Sequence, residues 1–212
     1  MSEQAAPKFR RRKAERPGEI LGAALEVFAE RGFAGARLED VAARAGVSKG
    51  AIYLYFSTKE DIFRAAVEQV IAPNVDQVRQ LLAAHPGPFP DLLRLLIARV
   101  LHVVGRTPAG GVAKMVIGEA RNFPELARVW HDRLIAQTIG GLAGAIQAAQ
   151  ARGEVRSGDA RLFAMQIMAP LLVGVIWRET FTPVGATDVD LDLMAAQHVE
   201  VLLDGMITRA AA

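Results

Sequence analysis

Apolar residues return every three to four positions along most of this chain, and no stretch alternates strictly between apolar and polar. Ile20, Ala24, Val27 and Phe28 form one such face, closed by Gly32 in the position of a helix C-cap. Leu38, Val41, Ala42 and Ala45 form a second, shorter face that ends at Gly46. A third segment runs from Ser48 to about Phe56. Ser57-Thr58-Lys59-Glu60 has the form of a capping box with serine at the N-cap. The fourth helix it starts runs toward Leu82, with Pro73 as a kink or break. "HPGPFP", residues 85–90, is the clearest interruption. Beyond it the spacing predicts helices over 91–106, 111–121, 124–152, 159–181 and 188–209. Pro124 suits a first turn, and Asp159 and Asp188 suit N-caps. The pattern predicts an all-α protein of about nine helices, a small three-helix head on a larger helical body.

Composition sharpens this picture in two ways. Half of the 212 residues are hydrophobic but only 6% are aromatic, which suits helices packed through small and branched side chains. Charge is uneven: the net value is only +2, yet Lys8, Arg10, Arg11, Arg12, Lys13 and Arg16 crowd the N-terminus. Residues 1–15 therefore read as a basic flexible arm, either lying against phosphates or simply solvated. Cysteine is absent, which removes disulfides, thiolate zinc sites and cysteine nucleophiles together. No signal-peptide core follows the basic arm, because Glu19, Glu26 and Glu30 interrupt it. The apolar run Met168–Trp177 is too short to span a bilayer, so a soluble, cytoplasmic protein without membrane contact is expected.

Candidate chemistry converges on one stretch, "GVSKGAIYLYFSTKE", Gly46 to Glu60. Its first five residues match G-x-S-x-G, the nucleophile elbow of serine hydrolases. An elbow needs a strand before the serine, and here a helical pattern precedes it. Ser48 has a simpler role as the N-cap of the following helix. No H-E-x-x-H, G-x-G-x-x-G or Walker pattern occurs, and no two histidines stand four apart. His131 and Asp132 are adjacent, but neighbours on a helix point about 100° apart. No enzyme activity, metal or cofactor is expected.

The same stretch fits a helix-turn-helix. Leu38, Val41, Ala42 and Ala45 bury a short first helix, and Gly46 supplies the left-handed turn. With Ile52 at the core of the second helix, Phe56 falls beside it, Gly50 and Leu54 opposite, and Lys49, Ala51 and Tyr53 on the flanks. Small Gly50 and Ala51 admit the helix into a major groove, Lys49 can reach guanine edges, and Leu54 can touch thymine methyls. Tyr53, Tyr55 and Lys59 can hold phosphates. Packing of Tyr55 against the body remains an alternative for that residue alone.

The segment Ile20–Phe63, and above all Val41–Glu60, resembles the DNA-binding head of the TetR/AcrR family of bacterial transcriptional regulators. The resemblance covers about the first third of the chain. It implies a homodimer whose third helix reads a palindromic double-stranded operator, usually as a repressor released by a small ligand. By position, base reading falls on Lys49, Gly50, Ala51, Tyr53 and Leu54, and phosphate contact on Tyr53, Tyr55 and Lys59. Where the family often has a capping threonine this chain has Arg37, which cannot cap as a hydroxyl does but offers another phosphate contact.

Residues 16–62 are then the DNA-binding domain and 63–212 the effector-binding and dimerisation domain. The resemblance implies a pocket among the middle helices, with His102, Met115, Glu119, Phe123, Trp130 and Trp177 as candidate lining for a small hydrophobic effector. It also implies that the last two helices pair across a two-fold axis, through Phe163, Ile167, Leu171 and Gly174 on one and Leu193, Ala196, Leu203 and Ile207 on the other. An activator, or a regulator answering to a protein, would share this fold; a hydrolase using Ser48 or a helical-bundle enzyme is the alternative of another kind.

Overall fold

The computed structural model describes residues 8–208. Its helices are α1 (Lys8–Gly35), α2 (Leu38–Arg44), α3 (Lys49–Tyr53), α4 (Lys59–Ala66), α5 (Ala72–Ala84), α6 (Phe89–Arg106), α7 (Ala109–Glu119), α8 (Pro124–Trp130), α9 (Ala136–Ala151), α10 (Ala160–Thr180) and α11 (Leu191–Met206). One turn of π-helix, Val67–Ile71, joins α4 to α5, and a second, His131–Ile135, joins α8 to α9. Counted through these joints, the described residues form nine helical runs, in line with the apolar spacing. The only extended pairing among them is an isolated bridge between Val155 and Ile207. Residues 1–7 of the basic arm lie outside the described residues, and from Lys8 the backbone is already helical.

Local chemistry explains most helix ends. Gly32 (φ 73°, ψ 164°) breaks α1 near its end, a left-handed backbone that glycine adopts without a Cβ penalty. Arg37 precedes α2 in an extended conformation with no side-chain cap, as a residue lacking a short hydroxyl or carboxylate must. Two predicted caps move. The capping box is made by Thr58 with Asp61, one residue later than the serine expected for it. Thr58 and Asp61 have the same three-residue spacing, and both reciprocal bonds close there (3.0 and 3.1 Å). Asp190, not Asp188, caps α11 through the Leu193 amide; Asp188 instead accepts from Thr182 in the preceding loop.

Two hydrophobic clusters hold the chain together. The first joins the head to α7 and α8: Ile20, Leu21, Leu25, Phe28, Phe33, Val41, Ile52 and Phe63 pack with Val112, Met115, Val116, Leu126 and Trp130. The core is thus continuous across residues 62 and 63. The second lies in the body, from Val78 on α5, through Leu93 and Leu96 on α6 and Leu142 and Ile146 on α9, to α10 and α11. Helix α10 buries Phe163, Ala164, Ile167, Leu171 and Val175 in or beside it. Within Ala160–Val184 an 18-residue window has mean hydropathy 1.7, so by length and composition the helix could cross a membrane. The short run Met168–Trp177 therefore understated its length, because apolar residues continue on its N-terminal side, back to Ala160. In this fold one face of that helix is a core face.

Candidate DNA-reading surface and its link to the body

Helix α3 is only five residues long and depends on its ends and one anchor. Gly46 turns the chain with φ 65°, and the Ser48 hydroxyl accepts from the Ala51 amide (3.2 Å). Ser48 caps a helix that follows another helix, so the strand-turn-helix of a nucleophile elbow is absent. Ile52 is fully buried beneath α3. Around it, Tyr53 on the flank is 52% exposed, Leu54 opposite 79%, and Tyr55 just beyond 37%. Gly50 is exposed and Ala51 half-buried, so the outer surface is low where the expected groove contact lies. Three large side chains held in water at and just past the end of a five-residue helix form a surface with no use inside the protomer.

Charge around this surface is organised by pairing. Lys49 forms an ion pair with Glu39 of α2 and sits 5.9 Å from the centre of the Tyr53 ring. The hydrogen bond from Lys49 holds the Glu39 carboxyl below its ordinary range, and the same bond raises Lys49. Arg37 is exposed beside them. Behind, Arg44 clasps Glu30 with two bonds (2.5 and 2.7 Å) and Arg31 meets Asp40 (2.6 Å), fixing α2 on α1.

Lys59 stands differently from its predicted role. Its ammonium donates to the carbonyls of Phe33 (2.7 Å), Ala36 (3.0 Å) and Ala34 (3.4 Å), and lies 4.9 Å from the Phe33 ring centre. An ammonium has three donors, and the free carbonyls at the end of α1 engage them. Lys59 thus ties α4 to the end of α1.

The amides of that same corner are held from the body. Phe33 N–H donates to Glu119 Oε1 (2.7 Å) and Ala34 N–H to Glu119 Oε2 (2.9 Å). A Cβ on Gly32 would stand 2.5 Å from Glu119 Oε1, so the carboxylate reaches the corner only because Gly32 is bare. Gly111, at the other end of α7, lies flat against α1, where an added Cβ would meet that of Ala29 at 2.7 Å. Phe123 stacks edgewise on Phe33 (5.0 Å), which meets Phe28 and Phe63 in turn. Helix α7 is therefore a strut from α10 to the head, and Lys114 fastens it to the Glu179 carbonyl (2.6 Å).

These contacts divide the six residues expected to line an effector site. Met115, Glu119, Phe123 and Trp130 come together, but as the packed and bonded junction of body and head. His102 is exposed on α6. Trp177, 39% exposed, donates to the Thr187 carbonyl and stacks on Phe181. An open groove of about 490 Å³ between α6 and α11 is lined by Ile97, Leu101, Ala195 and Val199 and none of the six. Aromatic or polar exceptions in an aliphatic segment mark a tertiary contact without saying what is on its other side. His131 Nδ1 does meet Asp132 Oδ1 (2.8 Å), despite their divergent starting directions on the helix. No group of three metal-binding side chains forms around it or elsewhere among the described residues.

The residues expected at a dimer interface are divided between the core and the surface. Phe163, Ile167, Leu171 and Gly174 are buried within the protomer, Gly174 so closely that a Cβ would meet Met194 at 2.5 Å. Leu203 and Ile207 are half-buried against the body core. The outer face of α10 instead carries Leu162, Met165, Leu172 and Val173, and α11 adds Leu193, Val201 and the exposed Ala196. Helix α10 is apolar on two faces, and a 3.6-residue period does not distinguish which is internal.

Comparison with known proteins places this geometry. Residues 20–66 match the family described as bacterial regulatory proteins, tetR family, and residues 91–205 match the AefR-like transcriptional repressor C-terminal domain. The transcriptional repressor BepR of Brucella suis is 32% identical over 168 residues, 77% of this chain and 79% of that protein. The transcriptional activator FasR of Mycolicibacterium smegmatis is 43% identical over 68 residues, only 32% of this chain and 31% of that one. The fold is shared with FadR of Bacillus subtilis, solved in complex with stearoyl-CoA: TM-score 0.71 at 22% identity, over 89% of this chain and 98% of that one. With the head and most of the body matched, and a repressor aligned over three quarters of the chain, this protein belongs to the TetR family of bacterial transcriptional regulators.

Proposed function

We propose that the protein is a ligand-responsive repressor that binds a palindromic double-stranded operator as a homodimer and leaves it when a small hydrophobic effector occupies the body. The observation that carries this is the outer surface at the end of α3, where Tyr53, Leu54 and Tyr55 are exposed around the buried anchor Ile52. In this reading Lys49, Gly50, Ala51 and Leu54 face base edges, and Tyr53, Tyr55 and Arg37 face phosphates. Lys59 acts indirectly, by holding the corner that sets the angle of the head. The outer faces of α10 and α11 pair across the two-fold axis, and the two heads meet successive turns of the duplex.

Support for a hydrophobic effector comes from the AefR-like body and from its shared fold with a regulator that holds stearoyl-CoA. Effector binding would act by favouring a head spacing that no longer fits the operator. The strut α7, bonded to the head through Glu119, gives that change a physical route. The match of the head to an activator keeps a second reading in view, in which the same DNA contact recruits transcription.

Gel-shift titration against the DNA upstream of the protein's own gene is the test. Sequence-specific binding that weakens steeply with salt is expected, and Tyr53→Ala should abolish it without changing the unfolding midpoint. Absence of any preference for that DNA over a random duplex would remove the proposal. Reporter expression in a deletion strain gives the sign of control.

A further inference from the structure

The Glu39–Lys49 pair stands at the edge of the surface just assigned to DNA. Glu39 is in the first turn of α2 and Lys49 is the first residue of α3. Both side chains remain about half exposed, 57% and 49%. From Gly46 to Thr58 Lys49 is the sole charged residue, and it is neutralised by an acid from the neighbouring helix. Lys49 also lies along the Tyr53 ring, so its amine is steered by two neighbours on one exposed edge.

An exposed, solvent-screened ion pair contributes little to folding, so stability gives little reason for an acid in this position. Its effect on DNA is larger. Non-specific affinity comes from cations that replace condensed counterions along the phosphates. Lys49 can take part only by leaving Glu39, and the carboxylate released is repelled by the same phosphates. The base edges of the major groove are different. Guanine O6 and N7 accept from lysine, while the cytosine N4 amino group donates to a carboxylate. Lysine pairs most often with guanine and a carboxylate with cytosine N4, so a donor and an acceptor held side by side favour a G·C pair.

We propose that Glu39 is a specificity-determining residue that, together with Lys49, reads a G·C pair in each operator half-site and suppresses binding to other sequences. This rests on the docking of α3 in the major groove. Glu39→Gln keeps the size of the side chain and removes its charge. Affinities for the protein's own upstream duplex and for a random duplex of equal length are measured over a series of salt concentrations, with the unfolding midpoint as a check on folding. For Glu39→Gln the random duplex should bind several-fold more tightly, with a salt slope steeper by about 0.9. Operator affinity should fall about tenfold, the loss of one base contact. A ratio of operator to random affinity equal to or above that of the wild type would overturn the proposal.

Selection from a randomised duplex pool supplies a readout independent of how Glu39→Gln folds. Lys49→Met should relax one G·C position in each half-site, and retention of every base preference would overturn the proposal. The two readings fail separately. Wild-type protein with no operator preference removes the regulatory reading itself, whereas an operator-specific wild type with an unchanged ratio in Glu39→Gln removes only the role of Glu39.

Discussion

Replacing Glu119 with alanine removes a side chain that bonds the end of α7 to the end of α1, and its effect can be worked out from two bonds. The Phe33 amide is partly buried and the Ala34 amide exposed. Hydrogen bonds to charged acceptors contribute about 1.5–3 kcal/mol, and an orphaned buried donor costs about 1–3 kcal/mol. The Ala34 amide regains water and contributes little, so the loss is on the order of 2 kcal/mol, nearly all at Phe33. In a chain of this size about 2–4 °C accompanies each kcal/mol, which predicts a midpoint lower by roughly 4–8 °C. Circular dichroism melts at one fixed protomer concentration hold any contribution from self-association constant. Amide exchange should accelerate at Phe33 and Ala34 first.

Gly32→Ala supplies the partner of a double-mutant cycle. Alone it suffers both the 2.5 Å approach to Glu119 and the left-handed backbone. In the Glu119→Ala background only the backbone strain remains, about 1–2 kcal/mol, so the two changes should sum to less than their separate effects. A Glu119→Ala midpoint within about 1 °C of the wild type, or strict additivity with Gly32→Ala, would refute the argument that this carboxylate holds the head.

Two further outcomes test other parts of the structure. The bond from Arg152, and then that from the Phe89 amide, hold the Glu154 carboxyl below its ordinary value of 4.5. A lowered carboxylate contributes stability that is present above its unfolded pKa and lost as pH falls through the folded one. Midpoints recorded from about pH 6 to about pH 3 should therefore fall less steeply for Glu154→Gln than for the wild type, and parallel profiles would dismiss the bond network. On the outer face of α10, Val173 is 62% exposed. Val173→Glu buries a charge if that face meets its copy, so sedimentation equilibrium should show dimer affinity weakened by at least about tenfold. An unchanged dimer would move the interface elsewhere.

What the sequence alone determined is the local chemistry of the head. Ser48 caps, Gly46 turns, Ile52 anchors, and Tyr53 and Leu54 face outward, because each follows from residues within one or two helical turns. Helix number followed from the same periodicity. The caps at Thr58 and Asp190 were missed by one and two residues where several short polar side chains compete for the same position. Tertiary structure decided everything that required knowing what lies opposite. Phe163 and Val173 are both apolar on one helix, yet one is core and the other surface, since packing against α9 and α11 selects the face. Lys59 turns to the carbonyls of Phe33 and Ala36, and Glu119 to amides 86 and 85 residues away. A charged side chain shows in the sequence only that it needs a partner; the fold brings the partner within 3 Å.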